Sequence, residues 1–282
     1  MLLDATRGAL RLRVEGKSTA PGSLPTWLRL AADFEVVGIE TGSTVLVLEA
    51  PTLSEAAPGL FGQQELFEPI DSSDSAFGVM EQTLCAAVGE RSDSVLFDQP
   101  LLSTFRRFER VLASGFVSIE LTNGRKNAPR VIVNRDSVAT VERLIRTTPQ
   151  PQRTRLSGTL DTIRHSDRMF TLLMDDGKAA KGIAEGVAAE QLAGLFGQRV
   201  VVAGTAVFRP SGALLRIEAD AIDAAGADAA IWSRIPTPLF RDLEAATLRL
   251  PQGPRSGVNA LIGRWPGEES EEEVAAALRE LS

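Results

Sequence analysis

A histidine, a serine and an aspartate stand side by side at His165-Ser166-Asp167, and these are the residue types of a base-activated nucleophile. Neighbours in sequence cannot form that relay alone, because its members must be brought together from separate elements. The run reads as a polar turn with an exposed histidine. Asp175-Asp176-Gly177 offers two carboxylates to a cation, but Asp-Gly is first of all a tight hairpin turn. Gly16-Lys17-Ser18 has the end of a phosphate-loop pattern without the glycine required five residues earlier. Cys85 and His165 are the only cysteine and histidine, which excludes an intramolecular disulfide and the usual Cys/His zinc frameworks. No spacing of carboxylates assembles a two-metal site. The chain therefore reads as a non-enzyme without cofactor or metal.

The remaining charged groups of interest are arginines, and their use depends on the elements that carry them. Arg155 to Ile163 has the pattern of a strand, Arg164 to Arg168 of a turn and Met169 to Met174 of a second strand. Asp175-Asp176-Gly177 turns the chain into a third strand, Lys178 to Ala184. A helix from Ala188 to Phe196, closed by Gly197, precedes a hairpin of Arg199 to Phe208 and Leu214 to Ile222 across Arg209-Pro210-Ser211-Gly212. A three-strand meander, a helix and two more strands is the order of an OB-type barrel, and Gly158 and Gly204 suit its sharp bends.

In such barrels the loops after the first and fourth strands rim the usual binding face. Here those loops hold Arg164, His165, Arg168 and Arg209, which suits a polyanion such as single-stranded nucleic acid. Stacking surfaces are scarce: Phe170 and Phe208 occupy apolar strand positions, and the chain has no tyrosine. Nine Lys/Arg against eight Asp/Glu over residues 153 to 222 leave the barrel almost neutral.

Upstream, the alternation Leu10, Leu12, Val14 predicts an opening strand, and Pro25 to Ala32 a short helix with Trp27, Leu28 and Ala31 inward. Phe34 to Glu40 and Thr44 to Glu49 read as a hairpin about Thr41-Gly42-Ser43, with Val45 to Leu48, apolar on both faces, as its central strand. Pro51 to Ser73 reads as a surface connection. Asp74 caps a helix carrying Phe77, Met80, Leu84 and Val88; Asp98 caps another carrying Leu101, Phe105, Phe108 and Leu112, which Gly115 ends. Arg106, Arg107 and Arg110 lie off that stripe, with Glu109 between them, as a solvated face. Val117, Ile119 and Leu121 form a strand that returns through Val131 to Val133, and Asp136 caps a last helix through Val138, Val141, Leu144 and Ile145.

The C-terminal stretch has a different character. Prolines 251, 254 and 266, with Gly253, Gly257 and Gly263, forbid a continuous helix or a central strand. Val258, Leu261, Ile262 and Trp265 nevertheless recur at helical spacing, and a polar linker has no use for four such groups. Glu268, Glu269, Glu271, Glu272 and Glu273 then precede Val274, Ala277, Leu278 and Leu281, an acidic start to an amphipathic helix. The pattern fits a segment that orders against a surface, its own or another protein's.

The run Gly253 to Glu269, with Arg255-Ser256-Gly257 followed by Trp265-Pro266-Gly267 and then acids, resembles the C-terminal tail of bacterial antitoxins encoded beside PIN-domain ribonuclease toxins. In that family the tail is what the toxin binds. The resemblance implies a PIN-domain partner gripped by Arg255, Val258, Asn259, Leu261, Ile262, Arg264 and Trp265. Arg255 or Arg264 would enter the carboxylate cluster that holds the toxin's divalent metal. The alternative is a nucleic-acid-binding barrel whose acidic tail recruits helpers.

A net charge of −7 and a pI near 5.0 argue against a surface made throughout for phosphate, and 44% hydrophobic content over 282 residues supports real cores. No signal-peptide organisation or membrane-length apolar run is present, so a cytoplasmic protein is expected, and a homo-oligomer is compatible with the sequence. The sequence predicts an α+β N-terminal domain (1–148), a linker (149–153) and an all-β five-stranded OB-like barrel with one helix (154–223). A linker and docking segment (224–250) and an extended C-terminal tail with a short helix (251–282) follow.

Overall fold

The structure is a computed structural model and describes residues 1–40, 45–61, 70–124, 130–164 and 168–238. The chain divides into two units, Met1–Arg241 and Asp242–Ser282, and the second lies outside the described residues. Among the described residues no helix is long and apolar enough to cross a membrane.

The chain opens with a helix, α1 (Leu2–Glu15), where the alternation of Leu10, Leu12 and Val14 predicts a strand. Ala5, Ala9 and Leu12 follow a helical spacing, and Thr6, Leu10 and Val14 are buried beside them. A helix enclosed on most sides masks its own period, so three alternating residues do not distinguish it from a strand. Gly16 ends it in the left-handed region, φ +77°, donating its N–H to the Leu12 carbonyl at 3.0 Å. α2 (Thr26–Ala31) buries Leu28 and Ala31 as expected, with Trp27 partly buried against the same core.

β1 (Glu35–Glu40) and β2 (Val45–Glu49) form the expected hairpin, but as a two-stranded sheet by itself. β2 is no central strand: Leu46 is 53% exposed. The expected surface connection after Pro51 instead begins with two short helices, α3 (Leu53–Ala56), held by a Thr52/Glu55 capping box, and α4 (Pro58–Phe61).

α5 (Ala76–Val88) is capped by Ser75 rather than Asp74, whose carboxylate accepts the Ser75 N–H at 2.9 Å. Asp98 does cap α6 (Gln99–Arg106), and the stripe continues into a separate α7 (Glu109–Ala113) after a break at Arg107 and Phe108. β3 (Ile119–Leu121) pairs with β4 (Val131–Val133), leaving Val117 outside the strand. α8 (Arg135–Thr147) takes Asn134, not Asp136, as its cap. Leu10, Leu28, Met80, Leu84, Phe97, Phe105 and Phe108 form the centre of this core.

Glu81 is buried in α5, 1% exposed, and its Oε1 has no hydrogen-bond partner among the described residues. Burial, reinforced by the nearby negative charge of Asp74, pushes its carboxyl up to about 7, while the Asn123 backbone N–H opposes the shift. Because the folded-state value lies above the unfolded one, stability present at pH 4.5 is lost as the pH rises through 7. Glu81→Gln should remove that slope and raise stability at pH 8 by about 1 to 2 kcal/mol, the full linkage value being reduced by local relaxation. Urea titrations of both proteins at pH 5 and pH 8 measure it; parallel pH profiles would contradict the assignment.

The second core is a closed five-stranded barrel in the order β5-β6-β7-β9-β8. β5 (Gln152–Arg164) begins inside the expected linker, since Gln152 and Arg153 already pair with Ala206 and Thr205 of β8 (Arg199–Phe208). β6 (Met169–Leu173) and β7 (Ala179–Ile183) complete the meander, α9 (Ala189–Gly194) follows, and β9 (Leu214–Ala224) closes the barrel. β9 runs parallel to β7 through Gly182↔Ile217 and Ile183↔Glu218, and antiparallel to β8. This is the OB-like order expected from the sequence. At Gly204 the ladder shifts register, and a Cβ would lie 2.2 Å from the Glu218 carbonyl oxygen, so only glycine permits the bend. After β9, residues 227–232 form a 3-10 turn rather than a plain linker.

Candidate functional site

The end of β5 and the β8–β9 loop, on the rim of the usual ligand face of an OB barrel, here meet the N-terminal domain. Arg164, at the end of β5, is 8% exposed and donates Nη2 to the Val14 carbonyl at the end of α1. The same nitrogen lies 3.0 Å from Met169 Sδ. Arg209, in the β8–β9 loop, donates Nη1 to the Asp93 carbonyl at 3.0 Å and to its carboxylate at 3.2 Å. Ser211 in that loop reinforces the contact, its N–H on Ser92 O at 3.0 Å and its hydroxyl on Asp93 Oδ1 at 2.8 Å. Arg168 stays within the barrel: its Nη1 donates to the carbonyls of Glu185 at 2.7 Å and Val187 at 3.0 Å, holding the chain between β7 and α9. Its own backbone takes φ +56°. His165 lies outside the described residues.

Sequence reasoning missed the strongest part of this seam. Asp98 is 2% exposed and caps α6 by accepting the Leu101 N–H at 3.2 Å. It also accepts the N–H of Ser18 at 3.1 Å and the Ser18 hydroxyl at 2.5 Å. From the barrel, Arg216 brings Nη1 to 3.3 Å of Asp98 Oδ2 and donates Nε to Glu218 at 2.9 Å. Lys17 forms an ion pair with Glu185 beside it. The cap at Asp98 is legible in the sequence, but no local pattern announces a cation arriving from residue 216.

A cleft of 810 Å³ runs along the seam, between Leu12 and Arg13 of α1 and the facing edges of β7 and β9. The two strands pair over only two residue positions, so their outer parts diverge and open it. Arg13, Lys178, Lys181, Arg209 and Arg216 line it, and its described walls contain no aromatic ring and no histidine. Cations without a stacking surface can neutralise an acidic segment but give bases no platform, which is worth roughly 1 to 3 kcal/mol per base. Among the described residues no group of three or more His, Cys, Asp or Glu could hold a metal ion. No family model and no curated protein matches the chain.

Arg155, on the outer face of β5, lies 5.8 Å from the ring centroid of Trp232, a cation-π contact between the barrel and the 3-10 turn. The seven expected partner-binding positions, Arg255, Val258, Asn259, Leu261, Ile262, Arg264 and Trp265, lie outside the described residues.

The Arg164 guanidinium is buried against the end of α1, with the residue 8% exposed, and offers little surface to a phosphate. Arg164→Ala should therefore reduce stability by about 1.5 to 3 kcal/mol through the lost charge-assisted bond. In a fluorescence titration, labelled single-stranded DNA and RNA should bind wild type no better at low salt than at high salt. Salt-dependent micromolar binding that disappears in Arg164→Ala and Arg168→Ala would restore the nucleic-acid reading.

Proposed function

We propose that this chain is a non-catalytic inhibitory binding protein of the antitoxin type, whose C-terminal tail grips a PIN-domain ribonuclease. The observation that carries the reading is the order of residues in Gly253 to Glu269: an Arg-Ser-Gly, apolar anchors at helical spacing, a Trp-Pro-Gly and a run of acids. The engagement of Arg164, Arg168 and Arg209 in protein contacts supports it indirectly, since those cations were the feature that favoured nucleic acid.

Inhibition follows from the chemistry of the partner's site. A carboxylate cluster that holds Mg²⁺ or Mn²⁺ also accepts a guanidinium, which is always charged and matches two carboxylate oxygens. Arg255 or Arg264 in that cluster displaces or mimics the metal, while Trp265, Val258, Leu261 and Ile262 supply the grip and Asn259 adds polar contacts. Binding and inhibition are thus carried by different residues.

A ribonuclease assay with the toxin at fixed concentration tests that separation. Arg255→Ala, alone or with Arg264→Ala, should restore cleavage more than it weakens the complex measured by calorimetry. Full inhibition by the doubly substituted protein would refute the arginine mechanism.

A further inference from the structure

We infer that the cleft between α1 and the diverging edges of β7 and β9 binds a small anionic amphiphile, a molecule with an apolar body and a carboxylate, sulfonate or phosphate head. Its 810 Å³ falls within the range of small-molecule sites, roughly 300 to 1,000 Å³. Two irregularities of the barrel shape it. The β7–β9 ladder consists of Gly182↔Ile217 and Ile183↔Glu218, so β7 before Gly182 and the start of β9 separate. At the start of β9, Leu214 pairs with Phe208 and Arg216 with Val207, which leaves Leu215 as the extra residue of a bulge. A regular strand turns alternate side chains away, whereas Leu214, Leu215 and Arg216 all line the cleft.

The lining changes character with depth. Leu12, Met169, Ala180 and Ile183 are its buried apolar part, and Leu214, Leu215 and Ile235 are half-buried above them. The charged part is cationic: Lys178 and Lys181 are exposed, Arg13 and Arg209 half-buried. No aspartate or glutamate is among the described lining residues, although the chain holds 37 acids against 30 Lys and Arg, so the wall has the opposite sign to the chain as a whole. The carboxylates that meet these cations stand outside the lining: Asp93 for Arg209, Asp98 and Glu218 for Arg216, Asp176 for Lys178. The Lys178–Asp176 pair is more than half exposed on both sides, and such pairs hold weakly, so an incoming anion competes with it. A neutral hydrocarbon gains nothing from the cations and a fully hydrophilic anion nothing from the leucines. A molecule that is both apolar and anionic uses the whole cleft.

Fluorescence titration of the full chain at neutral pH with anilinonaphthalene sulfonate, an aryl anion that brightens in apolar surroundings, tests this. Wild type should bind the probe saturably, and octanoate should displace it at least about tenfold more effectively than octanol, the same chain without the charge. Lys178→Glu combined with Lys181→Glu should lower probe affinity by about tenfold or more, and Leu215→Asp should lower it comparably. Arg110→Glu, an exposed cation on α7 outside the lining, should leave it unchanged, with circular dichroism melts verifying that all variants fold. A wild type that does not bind the probe saturably, equal displacement by octanol, or unchanged affinity in the double lysine variant overturns the inference. Equal loss in Arg110→Glu also overturns it, because overall charge and not the cleft would then attract the probe.

Discussion

Replacing Asp98 with alanine is expected to destabilise the folded chain by about 3 to 5 kcal/mol, as removing one partner of a buried charge pair does. Three losses coincide in one carboxylate. α6 loses its cap, typically about 1 kcal/mol. The N–H and hydroxyl of Ser18 lose their acceptor in a buried setting. Arg216, 7% exposed, keeps, among the described residues, only Glu218 to offset its charge. Asp98→Asn retains a capping oxygen without the negative charge, so its loss should be smaller, about 2 kcal/mol. Guanidinium titrations followed by circular dichroism measure both. A change below about 1 kcal/mol in Asp98→Ala would mean that the seam between the barrel and the N-terminal domain is not held as described.

The second large effect concerns binding. Trp265→Ala should weaken the proposed complex with a PIN-domain ribonuclease by about 2 kcal/mol or more, roughly thirtyfold in affinity. Tryptophan combines a large apolar area with a polar N–H, and such side chains dominate interface energetics while aliphatic neighbours contribute less. Leu261→Ala and Ile262→Ala should therefore each have smaller effects than Trp265→Ala. Surface plasmon resonance on the immobilised ribonuclease measures the series, and equal affinities for wild type and Trp265→Ala would remove the anchor from the proposal.

Much of the barrel is legible in the sequence because each strand is bounded by its own turn chemistry. Asp175-Asp176-Gly177 and the loop around Pro210 and Gly212 punctuate alternating runs, and the order of elements then names the architecture. The N-terminal half is harder. α1 is buried on several sides, so Leu10, Leu12 and Val14 imitate a strand. Ser75 and Asn134 outcompete the nearby Asp74 and Asp136 as caps, a choice between positions one or two residues apart that depends on backbone geometry rather than residue type. The apolar content of β2 implies burial, yet four of its five residues are exposed. Least visible is the seam. Arg164 and Arg209 resemble ligand-binding residues because an arginine aimed at a protein carbonyl and one aimed at a phosphate look alike in sequence, and Arg216 carries no local signal at all. Only the fold brings Val14, Asp93 and Asp98 to meet them.

The most direct test of the account separates tail from scaffold. Calorimetric titration of the PIN-domain ribonuclease should give a synthetic peptide of residues 251 to 282 most of the affinity of the full chain, and the chain ending at Leu250 none. The reverse result, a truncated chain that binds as tightly as the whole and a peptide that does not bind, would contradict it.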